Sequence, residues 1–179
     1  TPAIGADVAG AEVTEDATTA SPYVLPWIAP LGGSNYLNRV TAVTTTGRLA
    51  PTTLHGWFQD MTSLVSFDGN GLNPTNATSM EKLFYNCTSL TTITHIDFDT
   101  SSVESFAYAF ANCKSLSSLD LSKWDVSAAS DFSHMFSMSD AYKDNNSLTS
   151  ITLASTTNSW NMRTNAKRGT PTLTGMFEN

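Results

Sequence analysis

The chain has 179 residues, enough for one domain with a buried core, and it carries 9 basic against 16 acidic side chains for a formal charge of -7. That balance makes phosphate backbones and anionic membrane surfaces poor partners, so no nucleic-acid role is expected. No apolar run approaches the length of about 18 residues that marks a membrane span, and two cysteines are too few for a disulfide framework.

Residues 1–22 hold Asp7, Glu12, Glu15 and Asp16 with no Lys or Arg, and read as a linker; a signal peptide removed ahead of Thr1 is expected. The following YVLPWIAPLGG is apolar but broken by Pro26 and Pro30, which suits a segment packed over a core edge. Residues 1–35 are therefore expected to form an N-terminal arm and cap.

From residue 36 onward the chain repeats itself every 26 residues. LFYNCTSLTTI at 83–93 and AFANCKSLSSL at 109–119 are the clearest pair. Four columns run through the repeats: Leu54, Met80, Phe106, Phe132; Trp57, Leu83, Ala109, Met135; Phe58, Phe84, Phe110, Phe136; and Met61, Cys87, Cys113, Ser139. Within each unit these positions are i, i+3, i+4 and i+7, the spacing of one helical face, so a short helix is predicted in each. Thr53, Ser79, Ser105 and Asp131 stand just ahead, where a side-chain oxygen can cap the first free N–H groups. Alternating apolar residues then predict a strand: Leu64 with Phe67, Leu90 with Ile93, and Leu116, Leu119 with Leu121. A further copy is expected at Leu148, Ile151 and Leu153, and a fainter first one at Leu37, Val40 and Ala42. Leu72, Phe98 and Trp124 form an apolar column on the return to the next unit.

A unit this short cannot bury two apolar faces alone, so the units must stack, like strand beside like strand. The expected fold is α/β, a solenoid over 36–179 with a short parallel sheet on one side and short helices on the other. It comprises about four repeats and a partial last one, TLTGMFEN. This last helix either caps the solenoid or leads into a natural chain that continues, and the second is expected.

The phrases LFYNCTSLTTI, FDTSSVESFAYAFANCKSLSSLDLSKWDVSAASDFSHMF and LTGMF resemble the 26-residue repeat of bacterial surface proteins and lipoproteins, akin to the BspA-like leucine-rich repeats. The resemblance covers about residues 36–177. It implies a leucine-rich-repeat fold, a bacterial cell-surface or secreted location, an adhesion or host-interaction role and no enzymatic activity. No catalytic residue is implied.

The residues add their own expectations. No nucleophile stands with a base, and no phosphate loop or metal-binding helix is present, so neither enzyme activity nor a cofactor is expected. Cys87 and Cys113 occupy equivalent places in adjacent units; they are either a disulfide or a pair of buried free thiols. His95 stands where Leu121 stands one unit later, and either points inward or yields the core position to Ile96. His55 and His134 have no aligned Ser, Cys or carboxylate constellation. Asp99 and Asp125, also one repeat apart, either hold calcium or bond their own backbone. The outward strand positions form two polar rows, Ser66, Thr92, Ser118, Ser150 and Asp68, Thr94, Asp120, Thr152, a face suited to hydrogen-bonding a protein strand or glycan. Two insertions add Tyr142 with Lys143, and Trp160 with Arg163, Lys167 and Arg168, on loops where binding groups concentrate. A monomeric module recognising an extracellular protein or glycan is expected; its alternative is a spacer that presents other domains.

Overall fold

The computed structural model describes residues 11–13, 37–46, 49–138, 147–153 and 171–178. The alternating segments form short strands: Ala11–Val13 (β1), Ala42–Thr45 (β2), Ser66–Asp68 (β3), Thr92–Thr94 (β4), Ser118–Leu121 (β5) and Ser150–Leu153 (β6). All pairings are parallel, in the order β1-β2-β3-β4 for one sheet and β5-β6 for the other. The repeat spacing is visible in the register, where Phe67 faces Ile93. Two expectations about the early chain are revised. Residues 11–13, read as linker, are a strand beside β2. Leu37–Arg39 is a 3-10 turn, and Val43 rather than Val40 faces Phe67.

The predicted helices are absent, and the expected leucine-rich-repeat-like solenoid with helices on one side is corrected accordingly. Among the described residues there are parallel strands, isolated bridges, turns and one 3-10 turn, and no α-helix. The segments read as helices, 53–61, 79–87, 105–113, 131–138 and 172–178, are ribbons of successive tight turns. The cause is a left-handed backbone at fixed places: Gly56 and Asp60, Lys82 and Asn86, Tyr108 and Asn112, His134, and Gly175 all have φ between 55° and 63°. A right-handed helix cannot run through such residues.

The hydrogen bonds show what replaces it. Trp57, Gln59 and Met61 donate their N–H groups within the ribbon, to Leu54, Gly56 and Phe58. The residues between them donate outward: Leu54 to Ser79 (2.8 Å), Gly56 to Glu81 (2.8 Å), Phe58 to Leu83 (2.9 Å) and Asp60 to Tyr85 (2.8 Å). The alternation recurs from each ribbon to the next as far as Met138 to Glu178. Every second N–H thus closes a turn and every other one ties two layers, which satisfies the backbone without a helix. The expected caps serve this arrangement. Thr53, Ser79, Ser105 and Asp131 accept from the N–H two residues on, at 3.2, 3.2, 3.3 and 2.9 Å, and open the first turn.

Apolar side chains from ribbon, strand and return segment fill the space between. Phe58, Phe84, Phe110, Phe136 and Phe177 stack in order, with centroids 5.1, 5.7, 5.8 and 5.2 Å apart. A second stack joins Phe98, Trp124, Phe106 and Phe132. Each pair adds roughly 0.5–1.5 kcal/mol beyond area burial. The Trp124 indole N–H donates to the Ile96 carbonyl at 2.8 Å, so burying it leaves no donor unmet.

The strands are less continuous than the ribbons. β4 stops at Thr94 because His95 has φ 51°, and the turned backbone exposes the imidazole while Ile96 enters the core. Of the two expectations for His95, the second holds. Gly69 lies beneath this turn: a Cβ there would stand 2.6 Å from the His95 carbonyl oxygen and 2.9 Å from the Phe98 ring, so only glycine fits.

Candidate functional site

The polar rows are where the strand pattern places them, in two groups. Ser66 lies beside Thr92 and Asp68 beside Thr94 on β3 and β4. Ser118 lies beside Ser150 and Asp120 beside Thr152 on β5 and β6. The break after β4 means that the rows do not run as one ladder across all four strands. Ser66 and Asp68 are half-buried; Thr92, Thr94, Ser118, Asp120, Ser150 and Thr152 are exposed. Tyr142 and Trp160, with their basic neighbours, lie outside the described residues.

The carboxylates in these rows are already engaged. Asp68 accepts from the Asn70 N–H at 3.1 Å and meets the His95 Nδ1 at 2.8 Å. Sequence reading missed this pair because it joins a strand end to a residue at the position that Leu121 fills in the core one unit later. Asp120 accepts from the Ser122 N–H at 2.9 Å. Hydrogen bonds from the Ser122 side chain and backbone, with a small contribution from Lys123, hold the Asp120 carboxyl below its ordinary value. Asp99 and Asp125 bond their own backbone, as one of the two expectations had it: Asp99 accepts from the Ser101 hydroxyl (2.7 Å) and N–H (3.1 Å), and Asp125 from the Ser127 N–H (2.8 Å). The Ser101 hydroxyl, then its N–H, lowers the Asp99 carboxyl. Among the described residues no three His, Cys, Asp or Glu side chains gather as a metal would require.

Cys87 and Cys113 are free and buried. Each thiol points back to the preceding ribbon, Cys87 to the Phe58 carbonyl at 3.0 Å and Cys113 to that of Phe84 at 3.2 Å. Burial pushes both thiols up, Cys87 well above its ordinary value and Cys113 to about 12. Neither supplies a thiolate nucleophile near neutral pH.

A second outward face lies on the ribbons, and the column reading that found the core could also have found it. Lys82, Tyr108 and His134 are successive members of one column. The His134 ring stacks on Tyr108 with centroids 4.8 Å apart, the Lys82 ammonium lies 6.0 Å from the Tyr108 ring centroid, and Tyr85 meets Tyr108 edge-on at 6.1 Å. His55 and His134, for which the sequence shows no aligned Ser, Cys or carboxylate constellation, approach Glu81 at 3.5 Å and Glu178 at 3.4 Å across adjacent layers. Tyr108 has its ring contacts supplied from within the protein, by Lys82 and Tyr85 of one layer and His134 of another.

No helix among the described residues is long and apolar enough to cross a membrane. No curated protein and no solved structure matches the chain. One family model does, over residues 52–176, a span that runs from the first capping residue, Thr53, to the buried Met176 in the last ribbon. The chain belongs to the family described as Mycoplasma protein of unknown function, DUF285.

Proposed function

We propose that the protein is a non-enzymatic extracellular recognition module, displayed on a bacterial surface or secreted, that binds a protein strand or glycan through its exposed strand face. The observation that carries this reading is the register of β5 and β6, which sets Ser118 beside Ser150 and Asp120 beside Thr152, all four exposed. Such rows offer hydroxyl and carboxylate groups at the strand spacing of about 4.8 Å, a period that an extended polar ligand can follow. The likeness of its repeated phrases to BspA-like surface proteins supports the location and the adhesive role. The acidic charge disfavours nucleic acid as the ligand.

A spacer that binds nothing is the second reading, and a specific observation favours it. Several hydroxyls near the strands are committed to the neighbouring layer: Thr91 donates to the Val65 carbonyl at 3.2 Å, Thr94 to Phe67 at 3.5 Å and Thr149 to Ser117 at 3.1 Å. A glycan-array and matrix-protein screen separates the two. The recognition reading expects a hit that weakens at least tenfold in an Asp120→Ala, Thr152→Ala variant that remains folded by its amide spectrum. A folded sample that binds no member of either panel supports the spacer.

A further inference from the structure

At one place the layers stay closed on the ribbon side and open on the strand side. Between the ribbons at 79–87 and 105–113 the ladder is intact, with Lys82, Phe84 and Asn86 donating to Ala107, Ala109 and Ala111 at 2.9, 2.8 and 2.9 Å. The strands of the same two layers, β4 and β5, do not pair, and they do not pack together as the other neighbouring strands do. The Thr41 carbonyl receives the N–H groups of Val65 (2.7 Å) and Ser66 (3.2 Å), and the Val65 carbonyl those of Thr91 (2.9 Å) and Thr92 (3.2 Å). Ser117 and Ser118 stand next in this series, yet the Thr91 carbonyl receives no N–H among the described residues. Thr92 and Thr94 turn their backbone groups to β3, and Ser117 turns its carbonyl to β6. Backbone groups of successive strand residues point to opposite edges, so the N–H and C=O groups of Ile93, Ser118 and Asp120 face the break. The core opens at the same place. Phe67 is 1% exposed and Leu119 4%, but Ile93, between them in that column, is only half-buried.

We propose that this break is a slot for one extended segment of a partner polypeptide, which enters between β4 and β5 and completes the sheet. The inference rests on the strand face being the recognition surface, and it names the ligand of that surface as a protein strand. Both walls of the slot are strand edges, each presenting N–H and C=O groups in alternation. An extended backbone offers the complementary alternation on its two edges at once, and it needs about 9–10 Å between the strands that flank it. The side chains of such a segment alternate as well. Those turned inward meet Ile93 and Leu119 and are apolar, and those turned outward join the exposed Thr92, Thr94, Ser118 and Asp120 and are polar. The chain's own stretch LSSLDLS at 116–122 has this pattern.

The test uses the full chain labelled with 15N and an acetylated, amidated peptide of residues 116–122, titrated to millimolar concentration. In the free protein the amides of Ile93, Ser118 and Asp120 should exchange at least tenfold faster than those of Thr92 and Thr94. The peptide should shift these three saturably and slow their exchange at least tenfold. An inserted strand bonds on both edges, so N-methylation of either alternate set of peptide amides should abolish binding. A peptide laid on the outer edge of β6 would lose binding with one set only. The proposal is overturned by an unchanged spectrum at the highest peptide concentration, by tolerance of one N-methylated set, or by chitopentaose protecting the same three amides. A screen hit that the Asp120→Ala, Thr152→Ala variant weakens, without peptide protection in the slot, would remove the slot and leave the recognition face standing.

Discussion

The ribbon side and the strand side of this molecule are built from the same repeat, yet only one of them is continuous. The ribbons pass their alternate hydrogen bonds without interruption from residue 54 to residue 178, and the Phe58 to Phe177 stack follows them. The strands divide between β4 and β5 where His95 turns the backbone. The lesson is that a ribbon tolerates changes of side chain at its outward positions, because the alternate bonds that tie one layer to the next run between backbone groups and its core ring is constant. A strand of three or four residues has few bonds, and one residue in a left-handed conformation ends it.

The strongest way to break the comparison is to interrupt the ribbon stack. Phe110 stacks on Phe84 and Phe136 and is 2% exposed. Phe110→Ala should cost about 3–5 kcal/mol in urea unfolding, since the layers above and below hold the cavity open. A loss below about 1 kcal/mol would mean that the layers collapse onto the gap and that the stack is not what holds them.

The thiols test the same side through pH. Both have folded values raised by burial, Cys113 to about 12 against an ordinary 9.0. A raised value means that the folded protein keeps its proton where the unfolded chain releases it. Their contribution is fully present below the unfolded value and is lost as pH climbs from there toward the folded one. The slope is about 1.4 kcal/mol per pH unit for each thiol. A Cys87→Ala, Cys113→Ala variant should therefore lose less stability between pH 8 and pH 10 than the parent. In the parent, both thiols should resist a disulfide reagent in buffer and react in denaturant.

On the strand side, Gly69→Ala places a methyl group against the His95 carbonyl and the Phe98 ring. Overpacking of this kind costs about 1–3 kcal/mol. Its amide-exchange signature should be confined to β3, β4 and the turn at His95, leaving the ribbons protected. Exchange that spreads into the ribbons would show the two sides to be one cooperative unit.

Smaller effects come from the left-handed positions. A side chain at such a residue costs about 1–2 kcal/mol relative to glycine. Gly56→Ala meets only the flexible Gln59 side chain, so its loss of about 1 kcal/mol would be backbone strain alone. Lys82→Gly removes the same strain one layer on and should gain up to about 1 kcal/mol, offset by the lost contacts with Glu81 and Tyr108. If Lys82→Gly destabilises, those contacts outweigh the strain and the column acts as a clasp.

Much of this organisation was legible in the sequence. The 26-residue period, the inward columns Leu54 to Phe132 and Phe58 to Phe136 and the return column through Trp124 hold in the structure, while the outward rows are divided between two sheets. The error was the helix, and its reason is physical. A ribbon of four-residue turns and an α-helix both bring i, i+3, i+4 and i+7 to one side, so apolar spacing cannot tell them apart. The signal that separates them was present in Gly56 and Gly175, and in Asp60, Asn86 and Asn112 of one column, residue types that tolerate a left-handed backbone. It was masked by Lys82, Tyr108 and His134, which adopt that conformation against their own preference. The His95 to Asp68 pair was hidden for a related reason, because a backbone turn rather than a side-chain pattern brings it about.

The mildest test concerns the turns that follow the strands. Asp99 and Asp120 have carboxyls lowered by the hydrogen bonds of Ser101 and Ser122, and both lie open to solvent. A lowered value means that the unfolded chain takes up a proton before the folded one does. The stabilisation is present above the ordinary carboxylate value and is lost as pH falls through the folded value. Asp99→Asn, Asp120→Asn should thus lower the melting temperature slightly at pH 6 and by less at pH 2, with solvent screening keeping the effect small. An equal decrement at both pH values would mean that the amides fail for reasons of geometry. The turns would then depend on the fit of the side chain to the backbone N–H, as the uncharged Thr53, Ser79 and Ser105 already do on the ribbon side.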